Sequence, residues 1–414
     1  MTDSTIDNEL GFDVTDQRRT KDWAFLARVR SECPVSRPSP GLVFTARYED
    51  TAQAFRDAKS FSSVGDMRAP GVTVSIDESF LGELDAPLHP RIRRLLLRGF
   101  TPAAAARSEQ WTRHNVRRRL AVIADARGGD LMAQLAIPLP GSVAAHELGI
   151  PDELHDEVMH WCDELLHSTW PTHGKTERGE GIAGAFPELA ALIDEQIAMR
   201  RTPTRDDPAD LLALMVQTVE ADGWRISEHH IRTLAVNILA GSLSASYMLG
   251  NLLYRYLDES TGFARTISQD HSLIPAAVDE SLRCEAPVMF LFRTARKATT
   301  LGGCPINEGD HLMLGIGAAN RDPEVYTDPE EFRLDRAGEP EHLAFGAGPH
   351  LCLGNHLTRM VGRVTLEEML TTFPPGALEL VADYEWQCVD HLMEYGPETL
   401  EVLVPEAPRS GGGS

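Results

Sequence analysis

Apolar residues recur at helical spacing along most of this chain. Between Ser227 and Leu257 they fall three and four residues apart and also occupy other faces, and Ser227 suits the N-cap of a helix. A helix of about thirty residues that is largely apolar all round is expected to run through the protein interior. Shorter patterns predict one helix from Pro275 to Cys284 and another from about Leu353 to Thr371.

Strand patterns are short and lie in two places. One is Gly41 to Ala46, and the other runs from Val288 to Leu314, where Gly302, Gly303 and Gly309 mark turns. No internal repeat and no low-complexity segment divides the chain. The pattern therefore predicts a mainly α protein with a small β portion.

Length and charge narrow the possible functions. The chain has 414 residues, of which 42% are hydrophobic, so one large domain over residues 1–405 can bury a sizeable core. The tail 406–414 ends in Gly-Gly-Gly-Ser, which reads as an added linker. A net charge of −23 argues against nucleic acid as a partner.

The compartment is indicated by the cysteines and by the N-terminus. Six cysteines are scattered without any Cys-x-x-Cys pair, so we expect no disulfide framework and a reducing cytoplasm. The first residues are polar and acidic and include no apolar stretch. We therefore expect neither a signal peptide nor a membrane anchor.

The richest chemistry lies in residues 345–354, Phe-Gly-Ala-Gly-Pro-His-Leu-Cys-Leu-Gly. Cys352 stands among three glycines and directly before a predicted helix. We expect Gly348 to allow a close backbone approach to a flat cofactor, and the N–H groups of the helix to face the sulfur. Such an environment favours a thiolate, the form in which cysteine binds metals.

Two other interpretations of this run remain open. Cys352 could be a buried cysteine in a glycine-rich turn, with ordinary polar neighbours. A zinc site built from His350, Cys352 and His356 is also conceivable, although it lacks a fourth ligand at normal spacing.

The run also resembles the haem-binding signature of the cytochrome P450 monooxygenases, F-G-x-G-x-H-x-C-x-G, and fills each fixed position. The resemblance covers about residues 10–405 and implies the P450 fold as a single haem-binding domain. It implies that Cys352 ligates the iron of haem b. Around the cofactor it places Phe345, Gly346, Gly348 and Gly354.

The same resemblance implies that O2 is activated with two electrons. The chain contains no flavin or iron–sulfur segment of its own. The electrons are therefore expected from NAD(P)H through a ferredoxin reductase and a ferredoxin. Arg91, Arg94, Arg98 and the run Arg117–Arg119 could be a docking surface for an acidic ferredoxin, or simply solvated helix faces.

A structural triad is implied beside the haem loop. Glu280 and Arg283 are three residues apart on one predicted helix, where they can form an ion pair. The segment from Asp328 to Arg336 is similar to the family's meander, and by that resemblance Arg336 joins the pair. Unrelated surface charges are the alternative.

Four residues are implied as donors to the haem propionates. His89 and Arg93 lie one helical turn apart and suit two donors on one carboxylate. By resemblance, Arg293 binds the other propionate and His350 adds a further donor. Ordinary surface bases are the alternative for each.

The long helix departs from the family pattern. Relatives carry Ala-Gly-x-acid-Thr over the haem, whereas this chain has Ala240-Gly241-Ser242-Leu243-Ser244. Gly241 still leaves room for oxygen, but Leu243 cannot relay a proton. Ser244 keeps a hydroxyl that could act in catalysis or could bond to a helix carbonyl.

The resemblance also gives a distal substrate pocket. It is expected to be bounded by the loop from Ser62 to Glu83, the middle of the long helix and the C-terminal loop near Leu392 to Tyr395. The residues expected to face the substrate are Leu243, Val288, Met289, Phe290, Leu392 and Met393.

The predicted function is hydroxylation of a small organic molecule, in specialised natural-product biosynthesis because the usual acid is missing. One alternative is oxidative aryl or phenol coupling of an aromatic or peptide substrate, in which the substrate supplies a proton. Another is turnover with H2O2. A non-catalytic haem-binding helper or sensor is the alternative from a different class.

Overall fold

The computed structural model describes residues 13, 16–65, 68, 72–165, 177–202 and 210–405. The expected tail 406–414 lies outside these ranges. Within them helices dominate, which confirms the mainly α prediction. The helices are α1 (Gln17–Thr20), α2 (Trp23–Glu32), α3 (Tyr48–Arg56), α4 (Leu88–Leu96), α5 (Pro102–Ala126), α6 (Pro138–Leu148), α7 (His155–Glu164), α8 (Gly181–Ala185), α9 (Pro187–Met199), α10 (Leu211–Gln217), α11 (Glu228–Gly241), α12 (Leu243–Leu257), α13 (Phe263–Gln269), α14 (Ile274–Cys284), α15 (Ile316–Ala319) and α16 (Asn355–Thr372).

The strands form two small sheets and a hairpin. They are β1 (Val35–Ser39), β2 (Leu42–Thr45), β3 (Phe61–Ser62), β4 (Gly128–Asp130), β5 (Phe290–Ala295), β6 (Thr299–Leu301), β7 (Cys304–Ile306), β8 (His311–Gly315), β9 (Glu379–Leu380) and β10 (Glu401–Leu403). The larger sheet has the order β1-β2-β8-β5-β3, in which only β2 and β8 are parallel. The second sheet has the order β4-β10-β9, and β6 pairs with β7.

Both strand regions predicted from the sequence are present. The first corresponds to β2, and Val35 of β1 pairs with Thr45 across a short hairpin. The second contains β5 to β8, and its three glycines lie in turns with φ of +55°, +79° and +85°. These positive values are readily adopted only by glycine, which explains why glycine marks the turns.

The main hydrophobic core lies among the helices. Helix α5 packs along α16, and α12 contacts α16 within the same cluster. Leu120 of α5, Leu252 of α12 and Val364 of α16 are fully buried there. A second helical cluster joins α4, α9 and α11. The smaller clusters join the five-stranded sheet to α2, α3 and α15.

The long central helix is present but interrupted. It begins as predicted, with the Ser227 hydroxyl accepting from the His230 N–H at 3.1 Å. The stretch Glu228–Leu257 has the length and apolarity of a membrane span, but 72% of its most apolar window is buried inside the protein, as in a core helix.

The interruption lies between α11 and α12 at Ser242. Both the backbone N–H and the hydroxyl of Ser242 donate to the Leu239 carbonyl, three residues back, at 3.1 and 2.6 Å. These bonds replace the regular four-residue ladder, and a Gly-Ser pair is a common place for such a kink. The single helix of about thirty residues expected from the apolar pattern is thus two helices.

Candidate active site

Cys352 lies in a loop between a turn at Gly348–His350 and the start of α16. Its N–H donates to the Phe345 carbonyl at 2.9 Å, and its carbonyl accepts from the Asn355 side chain at 2.7 Å. These bonds fix the loop from both ends. The sulfur is therefore held at a defined position directly before the N-terminus of α16.

Cys352 lines a cavity and is accessible from it, although neighbouring residues of the protein surround the thiol. Burial raises the pKa of the thiol, whereas a hydrogen bond from the Gly354 N–H and the charges of Arg93 and Arg359 lower it. These smaller contributions favour a thiolate, but burial outweighs them and the pKa of the thiol lies above its ordinary value, so the thiolate form stays a prediction. Among the described residues no group of three His, Cys, Asp or Glu side chains could hold a metal, so the zinc interpretation has no support.

Gly348 has a role that the sequence interpretation did not foresee. Its φ is +69°, and a Cβ there would lie 2.8 Å from the Arg56 Cα and 2.9 Å from the Phe55 carbonyl oxygen. The glycine is therefore required by the turn and by its contact with α3, and its approach to a cofactor stays a prediction. Gly346 also has a positive φ, of +68°.

A cavity with mainly apolar walls opens above this loop. Its lining includes Phe345, Cys352 and Gly354 of the loop, together with side chains from α4, α6, α11, α12 and α16. Val288 and Leu291 line it from the segment around the start of β5. The cavity therefore brings together segments that are far apart in the sequence.

His89 and His350 stack against each other at one side of the cavity, with their ring centroids 3.9 Å apart. Burial, together with charge repulsion from Arg93 and Arg293, lowers the pKa of His89 to about 4 and that of His350 to about 3. The Nε2 atom of His89 is buried and has no hydrogen-bond partner among the described residues. A buried, unsatisfied ring nitrogen amid cationic side chains suits an anionic group such as a carboxylate.

The two arginines of this cluster are placed differently. Arg93 lines the cavity and donates to the Leu351 carbonyl at 2.5 Å. Arg293 is buried and lies over the Phe55 ring, with its guanidinium carbon 5.4 Å from the ring centroid. Arg293 does not line the cavity, although its charge reaches both histidines.

The structure brings Glu280, Arg283 and Arg336 together. Arg283 donates two hydrogen bonds of 2.8 Å to the two carboxylate oxygens, and the Nε of Arg336 lies 2.8 Å from each of them. Glu280 and Arg283 are 3% and 2% exposed, so this is a buried ion cluster and not a solvated surface pair.

The long helix contributes Gly241, Ser242 and Ser244 to the cavity wall. A Cβ built on Gly241 would meet no atom within 4 Å, so the glycine leaves open space there. The hydroxyl of Ser244 donates to the Gly241 carbonyl at 3.1 Å. Ala240 and Leu243 are 2% and 5% exposed and do not line the cavity.

Most of the predicted substrate-facing residues lie elsewhere, which corrects that part of the prediction. Met289 and Phe290 are buried in a separate cluster with Phe25 and Phe44, and Met393 packs against the same cluster. Leu392 is 44% exposed on the surface. Of the expected set only Val288 lines the cavity, where Leu291 joins it.

The expected distal loop contributes two residues to the wall, Leu81 and Gly82. Residues 66, 67 and 69–71 of that loop lie outside the described ranges. A cavity residue that the sequence interpretation missed is Asn237 of α11, whose Oδ1 accepts from the Leu81 N–H at 3.1 Å. Its signal in the sequence was a polar side chain in an otherwise apolar helical run, four residues before Gly241.

Several arginines of the suggested docking surface are engaged within the protein. Arg91 pairs with Glu220 and Asp222, and Arg94 pairs with Glu220 as well. Each arginine of the Arg117–Arg119 run also has a partner within the protein. Arg117 pairs with Glu368, Arg118 donates to the Asn115 side chain, and Arg119 donates to the Gln134 carbonyl. Arg98 is exposed, and the described residues offer it no ion pair.

Comparison with known proteins identifies the class. Residues 176–379 match the family model described as Cytochrome P450. The erythromycin C-12 hydroxylase of Saccharopolyspora erythraea is 31% identical over 98% of this chain and 99% of its own length. The chain belongs to the cytochrome P450 family and is a monooxygenase of that family, with a haem-thiolate centre and electrons from a redox partner.

Solved structures give the same fold. The structure of a mutant of P450 EryK in complex with erythromycin B superposes with a TM-score of 0.80, 30% identity and coverage of 94% of this chain and 97% of that one. HmtN, described as a post-tailoring hydroxylase involved in himastatin biosynthesis, superposes with a TM-score of 0.74, 27% identity and coverage of 88% and 91%.

Proposed function

We propose that this protein hydroxylates a small, largely apolar organic molecule in specialised natural-product biosynthesis, using O2 and two electrons from an external partner. The observation that carries the proposal is the Cys352 sulfur, which reaches the same apolar cavity that Gly241 lines. Relatives described as hydroxylases of erythromycin and in himastatin biosynthesis support a tailoring role.

The residues that would hold haem b surround this cavity. Cys352 would ligate the iron, and Gly354 would help to keep its sulfur anionic through the N–H that faces it. His89, Arg93 and His350 line the cavity and would bind the propionates, and Arg293, predicted as a further donor, would add positive charge beside the two histidines. The unsatisfied Nε2 of His89 supports this assignment, because a propionate oxygen would give it a partner.

Haem with a cysteine thiolate supplies the electron density that favours O–O cleavage. The protein's own residues supply shape and protons. The apolar side chains that line the cavity exclude water from the reacting centre, which protects it from side reactions. Gly241 leaves open space beside the helix.

Protons are proposed to pass through Ser244 or through water beside it. Leu243 replaces the acid of the family pattern and is buried away from the cavity, so it takes no part. Ser244 lines the cavity, and rotation about its Cβ–Oγ bond can turn the hydroxyl hydrogen from the Gly241 carbonyl toward the cavity. We therefore propose a relay with one protein hydroxyl.

The redox partner is proposed to be a ferredoxin, reduced by NAD(P)H through a ferredoxin reductase in the cytoplasm. Arg98 is the exposed member of the suggested docking set, since Arg91, Arg94 and Arg117 are paired internally. Substrate-dependent O2 consumption with ferredoxin tests this partner. Equal turnover with H2O2 alone would favour the peroxide-driven alternative.

Oxidative coupling of an aromatic substrate is the second candidate reaction. It is favoured by Leu243, because a phenol could supply from its own hydroxyl the proton that no acid at this position provides. Mass spectrometry of the product separates the two: gain of one oxygen supports hydroxylation, and loss of two hydrogens supports coupling.

The carbon monoxide spectrum of haem-loaded protein tests the central assignment. The wild type is expected to give the strongly red-shifted band of thiolate ligation, and Cys352→Ala is expected to abolish it. Cys388→Ala is the matched control, because Cys388 is a part-buried cysteine that does not line the cavity. An unchanged spectrum in Cys352→Ala would also favour the interpretation as a haem-binding helper.

A further inference from the structure

Side chains along one face of α11 fasten the segment from Asp77 to Leu81. The hydrogen bonds run from the Ser227 hydroxyl to Asp77 (2.8 Å), from the Thr233 hydroxyl to the Asp77 carbonyl (2.7 Å), between His230 Nε2 and the Ser79 carbonyl (3.2 Å) and from the Leu81 N–H to Asn237 Oδ1 (3.1 Å). The segment therefore lies along the helix in a fixed register.

Asn237 differs from the other three side chains because it also lines the cavity. It shares a helical stripe with Gly241, Ser244, Ala245 and Met248, all of which line the same cavity. The last hydrogen bond of the fastened segment is thus made by a residue that faces the proposed substrate.

The orientation of the Asn237 amide follows from its partner. The backbone N–H of Leu81 can only donate, so it is the amide oxygen that faces Leu81 and the NH2 group lies on the opposite side. Among the described residues the Nδ2 atom has no hydrogen-bond partner. A donor on an apolar cavity wall gains stability when a ligand brings an acceptor to it.

The Leu81 end of this contact is anchored independently. Arg68 and Glu83 form an ion pair of 2.6 Å in which both side chains are 1% exposed, and Glu83 also accepts from the Phe80 N–H at 2.9 Å. The backbone beside Leu81 is therefore held in place. A donor that is already oriented loses little freedom when a ligand binds.

We propose that Asn237 is a specificity-determining residue, whose side-chain NH2 donates a hydrogen bond to a carbonyl or ether oxygen of the substrate. The inference rests on the proposed function and names its substrate class. Asn237 precedes Gly241 by four residues, a rise of about 6 Å along the helix. The substrate is thus a largely apolar molecule that carries an acceptor oxygen about that far from the carbon that is oxidised.

The test uses cyclododecanone and cyclododecane, which have similar shapes and differ by one acceptor. Each is titrated into haem-loaded protein, and the Soret band reports the dissociation constant. For each protein, the dissociation constant of cyclododecane is divided by that of cyclododecanone. We expect this ratio to be about fivefold lower in Asn237→Leu than in wild type. Comparing ratios cancels the different hydration of the two probes.

Two further variants separate recognition from fastening. Thr233→Val removes a hydrogen bond of the fastened segment but does not alter the cavity wall, so the ratio is expected to stay at the wild-type value. Asn237→Asp keeps an acceptor for the Leu81 N–H and replaces the donor by a carboxylate oxygen. We expect Asn237→Asp to bind cyclododecanone more weakly relative to cyclododecanol, because only the alcohol can donate a hydrogen bond to the carboxylate.

The inference is overturned if Asn237→Leu leaves the ratio unchanged, if Thr233→Val lowers it equally, or if wild type does not bind the ketone. The carbon monoxide band is recorded for each variant. Its presence with an unchanged ratio overturns the role of Asn237 alone, whereas its absence in the wild type overturns the proposed function as well.

Discussion

At the scale of single residues, two serines of the cavity wall differ in the carbonyl that their hydroxyls bind. Ser244 carries the hydroxyl that faces the cavity one turn after Gly241, and its hydrogen is directed to the Gly241 carbonyl. The neighbouring Ser242 also lines the cavity, but its hydroxyl is committed to the Leu239 carbonyl at the helix interruption. The two serines therefore offer a matched comparison.

We expect Ser244→Ala to lower the product formed per NAD(P)H consumed and to raise the release of H2O2. Without the hydroxyl, only water can deliver protons. A positioned proton donor typically raises the rate of a reaction by about 10²–10⁴-fold. Both yields are measured in the ferredoxin-supported reaction. Equal yields in Ser244→Ala and wild type would remove Ser244 from the relay, and Ser242→Ala serves as the control.

At the scale of elements, buried ion clusters hold helices against loops. Glu280 and Arg283 of α14 are joined by Arg336 from the segment before the cysteine loop. Arg283 also donates to the Asn320 and Pro329 carbonyls, at 2.9 and 2.8 Å. The cluster thus fixes the segment that leads to the cysteine loop against α14.

We expect Glu280→Gln to lower the free energy of unfolding by about 3–5 kcal/mol, because the buried Arg283 loses its counter-charge and the part-buried Arg336 keeps only Glu339. Denaturant unfolding of the haem-loaded protein measures this. The exposed pair Arg28–Glu32 provides the control, and Glu32→Gln is expected to change stability by less than about 0.5 kcal/mol. Similar losses in both variants would contradict a role for the buried cluster.

A second cluster joins α5 to α16 and makes stability depend on pH. Glu368 is bound by Arg113 and Arg117, each at 2.6 Å. Burial raises the pKa of Glu368, but the hydrogen bonds from the two arginines outweigh it and hold the pKa below the ordinary 4.5. A carboxylate with a lowered folded pKa stabilises the protein above its unfolded pKa, and this contribution is lost as the pH falls.

Glu368→Gln is therefore expected to reduce stability at pH 7 and to flatten the decline in stability below about pH 4.5. Urea unfolding at a series of pH values measures the slope. Glu398→Gln, at an exposed carboxylate, should leave the slope as in wild type. A Glu368→Gln slope equal to the wild-type slope would show that the cluster does not couple to pH.

The sequence predicted elements better than the directions of their side chains. The helices around Glu280 and after Cys352 follow from periodicity and from proline, and the strand turns follow from glycine. Val288 faces the cavity and Met289 a hydrophobic cluster because of how their segment packs against distant parts of the chain. The local sequence pattern does not contain that information. Asn237 was missed for the same reason, because its partner Leu81 is distant in the sequence.

At the scale of the whole molecule, the site is assembled from both ends of the chain. Arg93 of α4 binds the carbonyl of Leu351 beside Cys352, and Gly348 rests on α3. The long contact between α5 and α16 spans a similar separation in sequence. One domain over residues 1–405 remains our prediction, supported by these long-range contacts.

A fragment of residues 176–379, the part that matches the family model, is therefore expected to give no thiolate carbon monoxide band. It contains Cys352 but lacks α3, α4 and α5, which support the cysteine loop and α16. The spectrum of reconstituted fragment measures this. The chain 1–405 is the control and should match the full-length protein, and a normal band from the fragment would contradict the argument.

The hydrogen bond between Arg93 and the carbonyl next to Cys352 has a consequence for biosynthesis. The ribosome releases the α4 end of this contact more than 250 residues before the other end. Helices near the N-terminus, such as α4, therefore keep apolar faces exposed until nearly all of the polypeptide has left the ribosome. Haem is then bound after translation. The yield of haem-loaded protein in cells should therefore depend on chaperones as well as on the supply of haem.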